Sequence, residues 1–243
     1  MSDGPRVALF VTCLVDLFRP SVGFAAVKLM QDAGCTVEVP EAQTCCGQPA
    51  FNSGYRDEAR TVATNLLDCA REDPETPILL PSGSCAAMVH HLPELFAGTD
   101  REEEARAVAA RTHDLAGFLV HVLGITDLGA RFPHRVTWHD ACHGLRDLGI
   151  REEPRALLKE VEEMELIEAR GCDTCCGFGG TFSVKYPEVS VAMVDWKLQH
   201  IEESGVDAVV SGDVSCLMQL GGRLERRGSA VRTIHLAEVL ASR

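Results

Sequence analysis

Eight of the eleven cysteines in this 243-residue chain fall into two matching sets. Cys13, the adjacent pair Cys45 and Cys46, and Cys85 form the first; Cys142, the pair Cys175 and Cys176, and Cys216 form the second. From the single cysteine to the pair is 32 residues in one set and 33 in the other, and from the pair to the last cysteine is 39 and 40. Corresponding positions lie 129 to 131 residues apart, a self-similarity that marks an internal repeat.

Four thiolates per set suit a zinc site or an iron–sulfur cluster, and ligand type alone does not separate the two. Spacing favours the cluster. Zinc modules gather close CxxC pairs on a small knuckle, whereas each set here draws one, two adjacent and one cysteine from distant segments. Side chains of adjacent residues leave opposite sides of the backbone, so both thiolates of a pair bind together only around a bulky, multi-metal object. Gly47 and Gly177 follow the pairs, where absence of a side chain permits close approach or positive φ. The stretch "GFGGT" at 177–181 adds amide N–H groups of the kind that hydrogen-bond cluster sulfurs.

The elements that position these residues repeat as well. "RVALFVT" at 6–12 and "RVTWHD" at 135–140 run as strands toward Cys13 and Cys142. "TVEVP" at 36–40 and "MELIEA" at 164–169 lead to the two CCG triplets, and "PILLPSGSC" at 77–85 and "DAVVSGDVSC" at 207–216 each read as strand, turn and cysteine. Helical stretches at about 20–33, 56–71, 154–162 and 187–204 lie between, with Pro20, Pro154 and Pro187 near their starts. Strands alternating with helices predict an α/β fold of two tandem, pseudo-symmetric repeats of parallel βαβ units. Ligands of such sheets collect beyond the carboxyl ends of the strands, where all eight cysteines fall. The expected organisation is a first repeat at 1–97, a connecting helical segment at 98–134 and a second repeat at 135–243. The acidic start of that segment suits a helix N-terminus, its apolar remainder suits packing between the repeats, and it is assigned no chemistry.

Three cysteines are unmatched. Cys172 makes a CxxC with Cys175, but Ala42 and Gln43 occupy the corresponding region of the first repeat, so it reads as a spare buried thiol, with a fifth ligand as the rarer alternative. Cys35 and Cys69 read as small hydrophobes. His139 and His143 flank Cys142 and could donate to cluster sulfur, bind zinc or relay protons. Their counterparts, Phe10 and Leu14, are apolar, so neither histidine belongs to the shared design, and histidines satisfied by hydrogen bonds are commoner. His90 and His91 read as surface residues.

Composition sets the class. Hydrophobic content of 46% with 24% charged residues describes a folded chain, and a net charge of −13 excludes an electrostatic hold on nucleic acid. The apolar run "VALFVTCLV" at 7–15 has the length of a signal-peptide core, yet Asp3 offsets Arg6 ahead of it and no small-residue cleavage site follows. No run approaches the roughly 20 apolar residues of a transmembrane helix. The expectation is a cytoplasmic protein whose thiols are reduced and serve as ligands or redox groups. No dinucleotide fingerprint, Walker A motif or nucleophile elbow occurs, and no arginine is marked by context as a clamp for a substrate carboxylate.

Cys13, "CCG" at 45–47, "SGSC" at 82–85 and their second copies resemble the cysteine-rich CCG-domain family, which includes the CCG-bearing subunit of heterodisulfide reductase and the glycolate oxidase iron–sulfur subunit. "FVTCLVDLF", "CCGQPAFNSGY", "PSGSCAAM", "CCGFGGTFSVK" and "GGRLERR" extend the likeness toward its lactate-utilisation branch, over nearly the whole chain. That resemblance implies a non-flavin subunit of a complex oxidising L-lactate to pyruvate, an oxidoreductase system with a ferredoxin-like iron–sulfur subunit and a third small subunit as partners. It implies Cys13, Cys45, Cys46, Cys85, Cys142, Cys175, Cys176 and Cys216 as iron ligands of one cluster per repeat; Gly47, Gly177, His139 and His143 are, from their positions beside these cysteines, the candidates for a place around the sulfurs. The heterodisulfide reductase relative carries a further cysteine three residues after the last, but those positions here are Met88 and Gln219. A conventional 4Fe-4S cluster, or one with a non-cysteine ligand, is therefore the expectation. The alternatives are a structural or regulatory zinc protein and a thiol–disulfide reductase subunit, the latter weakened by the missing fifth cysteine.

Overall fold

The structure, a computed structural model, describes residues 4–71 and 73–243; Asp3, read above as offsetting Arg6 in a leader, lies outside them. Strands β1 (Arg6–Leu9), β2 (Thr36–Glu38), β3 (Ile78–Leu80) and β4 (Thr112–Asp114) form one sheet in the order β2-β1-β3-β4. Strands β5 (Arg135–Trp138), β6 (Glu165–Leu166), β7 (Ala208–Ser211) and β8 (Arg232–His235) form the other in the order β6-β5-β7-β8. Every pairing is parallel, with Ala8 opposite Ile78 in the first sheet and Val136 opposite Ala208 in the second. The same order in both sheets is the expected tandem α/β repeat.

Parallel neighbours need long crossovers, and helices Pro20–Asp32, Arg56–Arg71, Glu152–Lys159 and Pro187–Glu203 provide them. Their side chains cover both faces of each sheet. Because successive strand residues point to opposite sides, Leu79 enters a core cluster shared by both repeats, while Ile78 and Leu80 enter a cluster built mainly by the first, with Ala105 and Val108 of the connecting segment. In the second sheet Ala208 and Val210 face the shared cluster and Val209 faces one of its own. The shared cluster joins Val7, Leu9 and Leu29 to Val136, Leu157 and Leu236, so one apolar interior runs through both repeats.

The segment 98–134 is more than a helix. It forms helix Glu102–Ala110, with three glutamates in its first turn, then β4, then a turn of helix that runs on as a π-helix through Phe118–Val122. β4 thus adds the fourth strand of the first sheet, from only three residues that carry no apolar alternation. Leu115, Ala116, Phe118 and Leu119 bury themselves in the shared cluster.

At the junction the loops after β3 and β7 meet. Gly83 N–H donates to the Gly212 carbonyl at 3.1 Å. Asp213, 0% exposed, caps its own helix Val214–Arg227 through Ser215 N–H at 3.0 Å and Cys216 N–H at 3.4 Å. The same carboxylate accepts Ser84 N–H at 2.7 Å, at the start of helix Gly83–His90 in the other repeat. Ser82 Oγ donates to it at 3.4 Å. The position equivalent to Asp213 in the first repeat is Ser82.

Two further caps correspond. Asp114 at the end of β4 accepts Ala116 and Gly117 N–H, and His235 at the end of β8 accepts Ala237 N–H on Nδ1 while Glu238 closes a capping box. Burial pushes the Asp114 carboxyl up to about 6 and the His235 imidazole down to about 4.

Two outcomes follow from these caps. Asp213→Ala removes the acceptor of buried amides in both repeats and is expected to cost about 3 kcal/mol, read as a lower denaturation midpoint. For His235, the unfolded chain binds its proton near pH 6.5 and the folded chain only near 4. Its contribution is therefore complete above about pH 6.5 and is lost as pH falls from there toward 4. Asp114 works in the opposite direction, since its folded-state pKa is the higher one. Comparing unfolding of the wild type with His235→Ser between pH 7 and 4 isolates the histidine: the variant should lose less stability over that range.

Candidate metal centres

Each set of four cysteines is assembled by three loops at the carboxyl edge of its sheet. Cys13 and Cys142 open short helices directly after β1 and β5. Cys85 and Cys216 are each the third residue of the helix following β3 or β7. The two pairs lie in the loops after β2 and β6. Cys46, Cys85, Cys176 and Cys216 are buried, and Cys13, Cys45, Cys142 and Cys175 are half-buried. Each set therefore has an inner and an outer pair of sulfurs.

The thiols of a set are in mutual contact. Cys45 is driven to low pKa by the hydrogen bonds it accepts from Cys13 and Cys46, and Cys175 by those from Cys142 and Cys176. Cys13, Cys46, Cys142 and Cys176 are driven up correspondingly. Gly47 N–H and Gly177 N–H each point at the sulfur of the first cysteine of the pair, at 3.4 Å. Cys176 Sγ donates to Cys216 Sγ at 3.2 Å. Two thiolates on one tetrahedral ion would stand about 3.8 Å apart, given metal–sulfur bonds of roughly 2.3 Å. Binding a metal between these two therefore spreads them. The donor chemistry fits an iron–sulfur cluster: four sulfurs from three loops, with amide donors already aimed at sulfur.

The expected close approach of the two glycines is present. Gly47 and Gly177 have φ of +88° and +85°, and a Cβ would lie 3.0 Å from the Ala59 carbonyl oxygen and 2.8 Å from that of Ser190. Thr12, preceding Cys13, also has positive φ, +75°. For a β-branched residue that is strained backbone, placed where the chain turns to present Cys13.

The second centre has partners the first lacks. His139 is 1% exposed, and its Nε2 has no hydrogen-bond partner among the described residues. Burial holds its imidazole well below the usual histidine range, at about 3. Lys197, also 1% exposed, donates to the carbonyls of Gly171, Cys172 and Thr174 at 2.7, 3.1 and 3.0 Å and so ties down the loop that carries the second pair. Its counterpart in the first repeat is the apolar Leu66. Arg155 grips Asp140 with bonds of 2.9 and 2.8 Å and also engages Glu168. The Trp138 indole donates to the same Asp140 carboxylate at 2.7 Å. His143 sits beside the centre but bonds Asp147.

Cys172 is half-buried rather than the buried spare thiol expected, because it lies at the edge of the loop 3.8 Å from the Arg155 guanidinium. Burial still raises it to about 11. Cys35 is buried in the shared cluster and Cys69 is half-buried against the core of the first repeat. Met88 is buried in the core of the first repeat, and Gln219 donates to Ser190 Oγ at 2.8 Å, which donates to the Gly177 carbonyl at 2.7 Å. Gln219 thus braces the CCG turn from outside. Of the residues missed by sequence reasoning, Asp213 was findable as a capping residue between strand and helix. Lys197 sits inside a helix with nothing local to mark it.

Comparisons with known proteins agree with this geometry. The family model for CCG, a cysteine-rich domain, matches residues 7–90 and 136–221. A protein of Geobacillus thermodenitrificans (strain NG80-2) named Lactate utilization protein A is 48% identical over 239 residues, covering 98% of this chain and 99% of its own. The protein of that name from Bacillus subtilis (strain 168) is 44% identical over 239 residues, covering 98% and 100%. A crystal structure of a hypothetical protein from Helicobacter pylori aligns at a TM-score of 0.66 and 10% identity over 97% of this chain and 48% of that one, a likeness of fold alone.

Substitution of Gly177 separates conformation from crowding. Gly177→Ala meets both the left-handed backbone and the Ser190 carbonyl and is expected to cost about 2–4 kcal/mol. Gly54→Ala, at φ +85° with open space around it, should cost only about 1 kcal/mol. Chemical denaturation of the two variants checks the difference.

Proposed function

This chain belongs to the cysteine-rich CCG-domain family, and on that premise we propose that it is the iron–sulfur electron-transfer subunit of a system oxidising L-lactate to pyruvate. The observation that carries the reading is the duplicated set of four sulfurs, each gathered from three loops at a sheet edge. The shared name of the relatives supports the lactate context. In this reading Cys13, Cys45, Cys46 and Cys85 hold one 4Fe-4S cluster, and Cys142, Cys175, Cys176 and Cys216 hold a second. A bound cluster supplies one-electron carriage. The chain's part is to hold the sulfurs, aim Gly47 and Gly177 N–H at them and keep water from the inner pair.

Lactate oxidation releases two electrons and two protons, so single-electron carriers require partners. A ferredoxin-like iron–sulfur subunit and a third small subunit fill that need in the proposal. The clefts beside the sulfurs support placing the lactate pocket elsewhere. The one against Cys13 and Cys45, about 520 Å³, is lined by Asp16 and Glu41 and by no lysine or arginine. The one against Cys142 and Cys175 contains Asp213 and likewise neither cation. A lactate carboxylate has no clamp in either. Among the described residues no helix is long and apolar enough to cross a membrane, and a cytoplasmic location belongs to the proposal.

Anaerobic purification with iron, sulfide and zinc analysis tests the reading. Iron and sulfide should be present in the wild type, about half of each should be lost in Cys45→Ser and in Cys175→Ser, and L-lactate oxidation should require added partner subunits. Zinc without iron, or iron surviving both substitutions, would defeat it.

A further inference from the structure

The two centres share their cysteines but not their buried neighbours, and one neighbour of the second is itself a donor. His139 lies at the end of β5, with its backbone fixed by His139 N–H to the Val210 carbonyl at 2.8 Å and by Ser211 Oγ to the His139 carbonyl at 3.0 Å. Its ring nitrogen and the sulfurs of Cys176 and Cys216 all lie within 4.8 Å of one another. Nδ1 faces the Cys172 carbonyl at 3.3 Å. That carbonyl also accepts Asp140 N–H at 3.0 Å and Lys197 Nζ at 3.1 Å; since a carbonyl only accepts, the tautomer that suits this contact carries its proton on Nδ1 and presents the Nε2 lone pair. A metal-ligating histidine is arranged in this way, its other N–H held by a backbone carbonyl. That lone pair is buried and unpartnered, a cost that a native interior leaves standing only where something else satisfies it.

We propose that His139 is a metal ligand of the second centre, its Nε2 joining the four thiolates of that set, beside Cys176 and Cys216, as a fifth and nitrogen donor, whereas the first centre binds through sulfur alone. Phe10 occupies the equivalent place in the first repeat and offers no donor. The assignment rests on the reading of the cysteine sets as metal centres. It makes the centres unequal. A bound cluster at the second centre would therefore differ in reduction potential from one at the first, since ligand set and surroundings tune that potential.

Pulsed EPR on the dithionite-reduced protein labelled with nitrogen-15 histidine tests the ligand directly. Strong nitrogen coupling to one of two clusters is expected in the wild type, retained in His143→Gln and absent from His139→Phe. Potentiometric titration should show two waves, of which only one moves in His139→Phe. Two clusters without strong histidine-nitrogen coupling in the wild type, or coupling that survives His139→Phe, would overturn the assignment, and the wild-type spectrum decides even where the variant loses its second cluster. Iron-free protein would instead count against the cluster reading above. In that event cobalt(II) added to the reduced chain reads the same donors: His139→Phe should weaken binding at least about tenfold, and unchanged affinity would overturn the assignment.

Discussion

Everything at the sheet edges is referred to one buried carboxylate. Asp213 accepts amides from the starts of two helices, one in each repeat, and each of those helices delivers the last cysteine of its set. Positive N-terminal ends of two helices converge on a single negative charge, a favourable arrangement in a dry interior. The duplication has to break here. Two carboxylates face to face would repel, and two serines would leave the converging amides with a weaker, neutral acceptor. Aspartate on one side and Ser82 on the other resolves the conflict, so the junction is asymmetric although the sheets it joins are not.

Asymmetry spreads outward from that point into the second repeat. Where the first repeat places Leu66 under its paired-cysteine loop, the second places a buried ammonium that gathers three carbonyls. Where Val11 N–H is met by the Gln43 side chain at 2.6 Å, Asp140 N–H is met by the Cys172 backbone at 3.0 Å. The Asp140 side chain is thereby free for Arg155 and Trp138. Burial alone would raise the Asp140 carboxyl, but the Arg155 guanidinium outweighs it and holds it below the ordinary range. These charged groups make the second loop the more firmly tethered of the two.

The first three strands of each sheet, the crossover helices and the eight matched cysteines were legible because each rests on a short-range signal. Apolar runs end at turns, prolines open helices, and a repeat of about 130 residues doubles every such clue. Helix Arg56–Arg71 has the bounds its pattern predicts. β4 was not legible, since Thr112–Asp114 is half-polar and becomes a strand only by pairing with β3. Lys197 and Asp213 act across distances in sequence that no window spans: Lys197 binds a loop more than twenty residues earlier, and Asp213 reaches Ser84 across 129 residues. The place of the His139 ring, pointing at sulfur rather than solvent, likewise depends on how β5 and β7 pair.

The end of the chain lies on its beginning. Helix Leu236–Leu240 packs against helix Pro20–Asp32, Ser21 Oγ donates to Glu238 at 2.7 Å, and Arg243 reaches Asp32 at 2.8 Å. The shared cluster contains Leu29 and Leu236 together. During synthesis at roughly 5–20 residues per second, the first repeat emerges about 7–28 s before the segment that seals its core. Through that interval its apolar helix face and its first set of thiols stand uncovered. The growing chain is thus obliged to stay soluble as an unfinished half until helix Leu236–Leu240 joins the shared cluster.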